Sequence, residues 1–185
     1  MTSLSFNEIQ NLNNSIQQIY SLNDFENFGV QAIGIMHRLV PSDIPIFHSV
    51  DIANRYISDT FLPNFSGFTP EMKAARYRSF GEHPVIQQAP KTLYGAHKIS
   101  DFITNKELHS LEGLYQQYLK PLGIEDHMTV GILPNKLTEK KPPKKAFIGL
   151  ALYRTQRSFT ETDQLLLNLL CPHFFQAYNN ILSAT

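Results

Sequence analysis

AFIGLALYRTQRSFTETDQLLLNLLCPHFFQAYNN, residues 146–180, holds the strand and the helix on which the fold turns. Its first nine residues, 146–154, carry apolar side chains on both faces, as a central strand covered on two sides requires. Thr160, with Asp163 three residues on, is a capping-box start: each side chain can satisfy a backbone N–H that the first helical turn leaves without a partner. Leu166, Leu170, Phe174, Ala177 and Ile181 then share one helical face, the face expected to lie on the sheet. Leu165 and Leu169 fall off that arc, on the side of Gln176 and Asn180. Pro172 removes the hydrogen bond to the carbonyl of Asn168 and is expected to kink the helix. Two readings follow for the surplus leucines: they meet a second copy of the chain, or the first helices bury both faces within one subunit.

Outward from this segment, His127 to Leu133 reads as the partner strand. It is joined through KLTEKKPPKK (136–145), whose five lysines and two prolines describe a solvated hairpin loop. At the other end of the chain, Phe6, Ile9, Leu12, Ile16, Ile19 and Tyr20 recur every three or four residues, one face of a helix. Asn23 or Asp24 is a candidate cap for a second helix running to about Val40, stopped by Pro41. Short alternating runs follow at 44–50 and 55–62, with a hairpin turn at 51–54. Thr69-Pro70-Glu71 is an N-cap with proline at the first helical position, opening a helix through Phe80, and a further short helix starts at His83-Pro84. A brief strand is expected at 94–100, a helical stretch capped by Asp101 or Thr104 through His109, and another helix over 111–119. The order helix, helix, strands, mixed crossover, strands, helix predicts an α+β layer structure. In it an antiparallel sheet carries the N- and C-terminal helices on one face and the helical crossover from about Pro63 to Asp126 on the other.

The chain of 185 residues suits one domain that buries its own core. Hydrophobic residues make up 42% and charged residues 17%, which excludes a disordered chain. Sixteen basic residues balance sixteen acidic ones, so the positive field of a nucleic-acid binder is lacking. The single cysteine, Cys171, sits among leucines, which fits a packing role in a reducing compartment. With no signal-like start and no apolar run of about 18 residues, a cytoplasmic protein without membrane contact is expected.

The segment ISDFITNKELHSLEGLYQQYLKPLGIEDHMTVGI (99–132) and the later FIGLALYRTQRSFTETDQLLLNLLCPHFFQAYNN (147–180) resemble the amino-terminal GAF-like sensory domain of bacterial LuxR-type transcription regulators. The matching pieces are Ser100-Asp101, the run from Tyr115 to Gly123, Gly149-Leu150-Ala151-Leu152, Arg154, Phe159-Thr160-Glu161, Leu170, Pro172-His173 and Ala177-Tyr178. They span roughly the second half of the chain, and before Tyr94 the likeness rests on element order. The resemblance implies a GAF/PAS-like sheet flanked by helices, a terminal helix that pairs with its counterpart in a homodimer, and DNA contact only through a helix-turn-helix. The residues after Tyr178 are too few to hold one.

No catalytic set stands out: GxxxxGKS, GxGxxG, HExxH, GxSxG and paired CxxC are all absent. The seven histidines are scattered. His83, His97 and His127 are the candidates to converge on a metal, but their spacing fits no ligand pattern, and no metal is expected. Among GAF relatives, bilin attachment uses a cysteine beside the pocket, and sulfoxide reduction uses several. The Asn105-Lys106-Glu107 fragment falls short of a cyclic-nucleotide motif. A noncovalent ligand remains open. Phe65, Tyr77, Phe80, His83, Tyr94, His97, Tyr115 and Tyr118 supply apolar bodies with polar tips, suited to a pocket for a small molecule of unspecified identity. The expectation is a non-enzymatic, signal-sensing and dimerising domain of a LuxR-type regulator, with Leu165 and Leu169 at the dimer face. The alternative is a stand-alone ligand-binding GAF protein acting through protein–protein contacts.

Overall fold

The computed structural model describes residues 2–51, 56–63, 65, 68–85, 87, 95–132, 146–156 and 158–184. Helix α1, Phe6–Tyr20, starts at Ser5, whose hydroxyl accepts from the Glu8 N–H while the Glu8 carboxylate accepts from the Ser5 N–H. Helix α2, Phe28–Leu39, begins later than its expected cap. The Asp24 carboxylate accepts from the Glu26 N–H at 2.9 Å and from the Asn27 side chain, so it closes a turn instead of opening the helix. Strands β1, Ile44–Asp51, and β2, Tyr56–Phe61, form the first hairpin; its turn lies outside the described residues, as does the lysine-rich loop. Helix α3, Pro70–Ser79, is capped by the Thr69 hydroxyl with Pro70 in the first turn, and a 3-10 turn extends it to Glu82.

Strand β3, Gly95–Lys98, is followed by helix α4, Asn105–Ser110, where Thr104 and Glu107 complete a capping box. The segment expected as an α-helix over 111–119 is instead π-helical, Glu112–Leu119. Its wide turn brings Leu114, Tyr115, Tyr118 and Leu119 to the buried side together. Strands β4, Asp126–Ile132, and β5, Ala146–Arg154, precede helix α5, Glu161–Ala184. Both halves of the Thr160–Asp163 capping box form, at 2.9 and 3.1 Å. The helix runs on through Pro172, which is exposed.

The five strands pair antiparallel in the order β2-β1-β5-β4-β3. This is the α+β sheet anticipated above, with one refinement: α2 and α5 lie on the sheet, and α1 packs across those two helices. The centre of the helix-covered face is apolar. Ala96, Met128, Val130, Ile148, Leu150 and Leu152 of the strands meet Leu166, Leu170, Phe174, Ala177 and Ile181 of α5, with Cys171 buried among them. The opposite face is covered by the crossover, where Ile44, Ile46, Ala151 and Tyr153 meet Phe68, Ala75, Leu108, Tyr118 and Ile124.

Strand β3 is a sheet edge, and α5 occupies it. The Ala96 N–H donates to Asn168 Oδ1 at 2.7 Å, and Gln164 Nε2 donates to the Ala96 carbonyl at 2.9 Å and to Asp101 Oδ2 at 2.9 Å. Lys98 pairs with Glu161 at the start of the same helix. Gly95, at φ +111°, lets Asn168 come this close, since a Cβ there would lie 2.7 Å from Asn168 Oδ1. Two side-chain amides thus replace a missing strand and fix α5 to the sheet edge.

Candidate functional site

Beneath the crossover, the sheet carries polar groups where a plain core would carry aliphatic ones. Alternation along β1 puts Ile44, Ile46 and His48 on the crossover face, and His48 lies opposite Asp59 of β2 on one side and Gly149 of β5 on the other. Gly131 of β4 continues the row. Gly149 is required by the histidine: a Cβ there would fall 2.4 Å from His48 Nε2, so the imidazole lies over bare backbone.

Helix α3 drops Arg76 onto this row. Its guanidinium donates to Asp59 Oδ1 at 2.5 Å, and the two side chains are 10% and 7% exposed. The faces of Phe68 and Tyr118 flank it at 5.8 and 5.9 Å from the ring centroids. Burial works against the charge of Arg76, yet the neighbouring Tyr118, Tyr153 and Asp59 outweigh it and hold the group firmly protonated. From the π-helical segment the Tyr118 hydroxyl donates to the Tyr153 hydroxyl at 3.3 Å, and both phenols are pushed upward, chiefly by burial.

The circuit closes through two more histidines. The ring of His127 on β4 lies 5.1 Å from that of Tyr153, and its Nε2 is 2.9 Å from Nε2 of His83, which follows the 3-10 turn after α3. Burial, then the Arg76 charge, takes His83 down to about 3. Burial likewise depresses His48 and His127 well below the ordinary histidine value, with Arg76 and the other imidazoles adding to the effect. All three are therefore neutral near pH 7. The Nδ1 atoms of His48, His83 and His127 are buried and lack a hydrogen-bond partner among the described residues. A buried polar atom left in this state costs on the order of 1–3 kcal/mol, so the cluster has unused hydrogen-bonding capacity.

Of the residues the sequence singled out, His83 and Tyr118 belong to this cluster. Phe65 is half-buried and packs on Phe61 and Phe68 at 4.9 and 5.9 Å. Tyr77 is 36% exposed on the outer side of α3, and Phe80 is half-buried in the 3-10 turn. His97 is half-buried on β3 with its ring 6.0 Å from Phe102. Tyr115 donates to Glu125 at 2.5 Å and stacks on His109; burial and that hydrogen bond push its phenol up to about 12. Tyr94 lies outside the described residues. Sequence reading left out His48, Asp59, Arg76 and Tyr153, and considered His127 only as a metal ligand. The signal lay in the strand alternation, where His48 and Asp59 take positions that β1 and β2 otherwise give to Ile44, Ile46 and Phe61. Among the described residues no group of three or more His, Cys, Asp or Glu side chains is arranged to hold a metal.

On α5, Leu165 is half-buried and Leu169 is 42% exposed. The described helices include none long and apolar enough to cross a membrane.

No family model matches the chain, and no curated protein matches it in sequence. Solved structures do match. The LBD domain of VqsR from Pseudomonas aeruginosa superposes with a TM-score of 0.60 at 12% identity, over 98% of this chain and 99% of that one. The phycoerythrobilin-bound GAF domain of a cyanobacterial phytochrome gives 0.62 at 9% identity, over 98% and 99%. The fold is GAF-like. SdiA in complex with octanoyl-rac-glycerol shares it as well, with a TM-score of 0.61 at 12% identity over 98% of this chain and 69% of SdiA. This GAF-like architecture, common to LuxR-type ligand-binding domains and phytochrome GAF domains, is what the resemblance in the sequence implied. It also supports an enzyme, the free methionine-R-sulfoxide reductase of Neisseria meningitidis, with a TM-score of 0.59 at 11% identity over 100% of this chain and 98% of that one. Here the single cysteine is buried against the helix-covered face, across the sheet from the polar cluster.

Proposed function

We propose that this chain is a non-catalytic sensing domain that binds a small molecule noncovalently on the crossover face of its sheet and reports occupancy through α5, as the signal-receiving part of a LuxR-type transcription regulator. The observation that carries this reading is the buried cluster of His48, Asp59, Arg76, His83, His127, Tyr118 and Tyr153, with three imidazole nitrogens unpartnered among the described residues. A protein that needed only stability would fill this volume with aliphatic side chains, because buried polar groups stabilise a fold less than hydrophobic ones of equal size. The octanoyl-rac-glycerol in SdiA and the bilin of the phytochrome domain support the reading by analogy of fold. A route outward is supported by the amide clamp that joins Ala96, beside His97 on β3, to Gln164 and Asn168 of α5. A homodimer formed through Leu165 and Leu169 is supported by the exposure of Leu169 on the helix surface.

The test is a thermal-shift screen of a metabolite library against the wild-type protein and a His127→Leu variant, with Leu170→Val as a core control. At least one compound is expected to raise the melting temperature of the wild type and the control, and to leave the His127 variant unmoved. A library that stabilises none of them, or hits that survive in the His127 variant, would reject the crossover face as the sensing site.

A further inference from the structure

His83 and His127 approach through the same ring atom. With Nε2 facing Nε2 at 2.9 Å, one ring must donate and the other accept, so a single proton occupies the gap. In the neutral pair the ring that donates has a bare Nδ1, and the ring that accepts carries its hydrogen on Nδ1. Four nitrogens therefore share two protons, and the outer positions present one N–H and one lone pair. If the pair gains one proton, the bridge becomes a charge-assisted imidazolium–imidazole bond, and both outer Nδ1 atoms become N–H donors.

The surrounding charges decide whether that proton can stay. Arg76 from α3 faces the pair with a positive charge, and Asp59 of β2 neutralises it. His48 of β1, Tyr118 of the π-helical segment and Tyr153 of β5 are uncharged at neutral pH. Asp126 adjoins His127 on β4, and Glu82, next to His83, accepts from the Leu114 N–H. Without a ligand an added proton would sit in a buried site beside a guanidinium, with one carboxylate already committed, and it is expelled. A cation would meet the same repulsion. An anion reverses the balance: it attracts Arg76 and the protonated pair together, and the doubled N–H donors have an acceptor to meet.

We infer that the cluster is built for a small organic monoanion, a carboxylate, sulfonate or phosphate diester, which enters together with one proton that passes from solvent onto the His83–His127 pair. This rests on the crossover face being the sensing site, as proposed above. It goes further by fixing the charge of the ligand and a coupled proton. Bound, the anion accepts from imidazole N–H groups and neutralises the added charge, so the site changes its net charge by zero.

The experiment compares 1-propanesulfonate, ionised at every pH used, with its uncharged isostere 1-propanesulfonamide. Dissociation constants come from thermal-shift titrations between about pH 8 and pH 6. Because the sulfonate brings no proton, any uptake belongs to the protein, and affinity is expected to tighten about tenfold per pH unit of acidification. The sulfonamide is expected to bind weakly at all pH values. His127→Leu is expected to lose sulfonate binding, and His83→Leu, at a half-buried position outside the sheet, provides the same test if the first variant folds poorly. Sulfonate binding without a pH slope, or a slope kept in both variants, overturns the proton uptake. Stronger binding of the sulfonamide, lost in the histidine variants, overturns the anion while leaving the site in place. If neither probe binds although library compounds bind and depend on His127, the ligand class is wrong and the sensing face stands; if nothing binds at all, both fall.

Discussion

The two faces of one sheet are built on opposite terms. On the helix side, Met128, Val130, Ile148, Leu150 and Leu152 bury against Leu166, Leu170 and Phe174, and every group is satisfied by packing alone. On the crossover side, the same sheet presents His48, Asp59, His127 and Tyr153, with Gly149 and Gly131 among them in register, and α3 adds a buried arginine. The first face holds the fold together. The second carries neutral imidazoles and an ion pair that cost desolvation energy, and it makes sense as a surface kept for something that completes it.

Acid should separate the faces most sharply. His48, His83 and His127 have folded-state values below the ordinary histidine value near 6.5 that the unfolded chain retains. The unfolded chain therefore binds more protons as pH falls, and stability is lost on acidification below about 6.5, continuing towards the folded value of His83 near 3. Each imidazole contributes up to about 1.4 kcal/mol per pH unit in that window. Urea denaturation at successive pH values should show the loss, and replacing His127 by Leu should flatten it; a wild-type curve flat from about pH 6.5 to 5 would contradict the buried neutral cluster.

The ion pair comes next. Arg76→Met leaves Asp59 buried without its partner and is expected to cost about 3–5 kcal/mol, while the double variant Asp59→Leu, Arg76→Met should recover most of that or exceed the wild type. Such recovery, measured by denaturant midpoints and coupled to loss of ligand binding, would establish that the polar face is maintained for a reason other than stability. A double variant as unstable as the single one would make the pair a structural element. Smaller again is Gly149→Ala, whose new methyl meets the His48 ring and forces it to move, at a cost of about 1–3 kcal/mol; the companion His48→Ala should relieve that clash. The smallest effect on folding is expected outside both faces. Leu165→Glu with Leu169→Glu should change stability by only about 0.5 kcal/mol, because neither side chain is fully buried. Sedimentation should nevertheless show a dimer converted to monomer, and a dimer that persists would remove these leucines from the interface.

The legible parts of the fold were those governed by local chemistry. Thr69, Thr104 and Thr160 each cap the helix they precede, and the arc of Leu166, Leu170, Phe174, Ala177 and Ile181 meets the sheet as its spacing required. Asp24 misled because an aspartate closes an isolated turn as readily as it opens a helix. The candidate site was harder to see. Counting aromatics in the crossover picked out Tyr77 and Tyr115, whose polar tips have other uses, at the protein surface and on Glu125. His48, Asp59 and His127 gain meaning only when the strand register places them on one face, and register is a long-range property. Arg76 lies in the run KAARYRS, where nothing local distinguishes the arginine that turns inward from Arg78, which donates to Gln117 at the surface.

The most direct test of the two-faced sheet is side-chain methyl NMR with a stabilising compound added. Ile46 of β1 and Ala151 of β5 report on the crossover face, while Ile148, Leu150 and Leu152 of β5 report on the helix side. The account predicts that the methyl signals of Ile46 and Ala151 shift on binding while those of Ile148, Leu150 and Leu152 stay in place. Shifts confined to the helix-side methyls would contradict it.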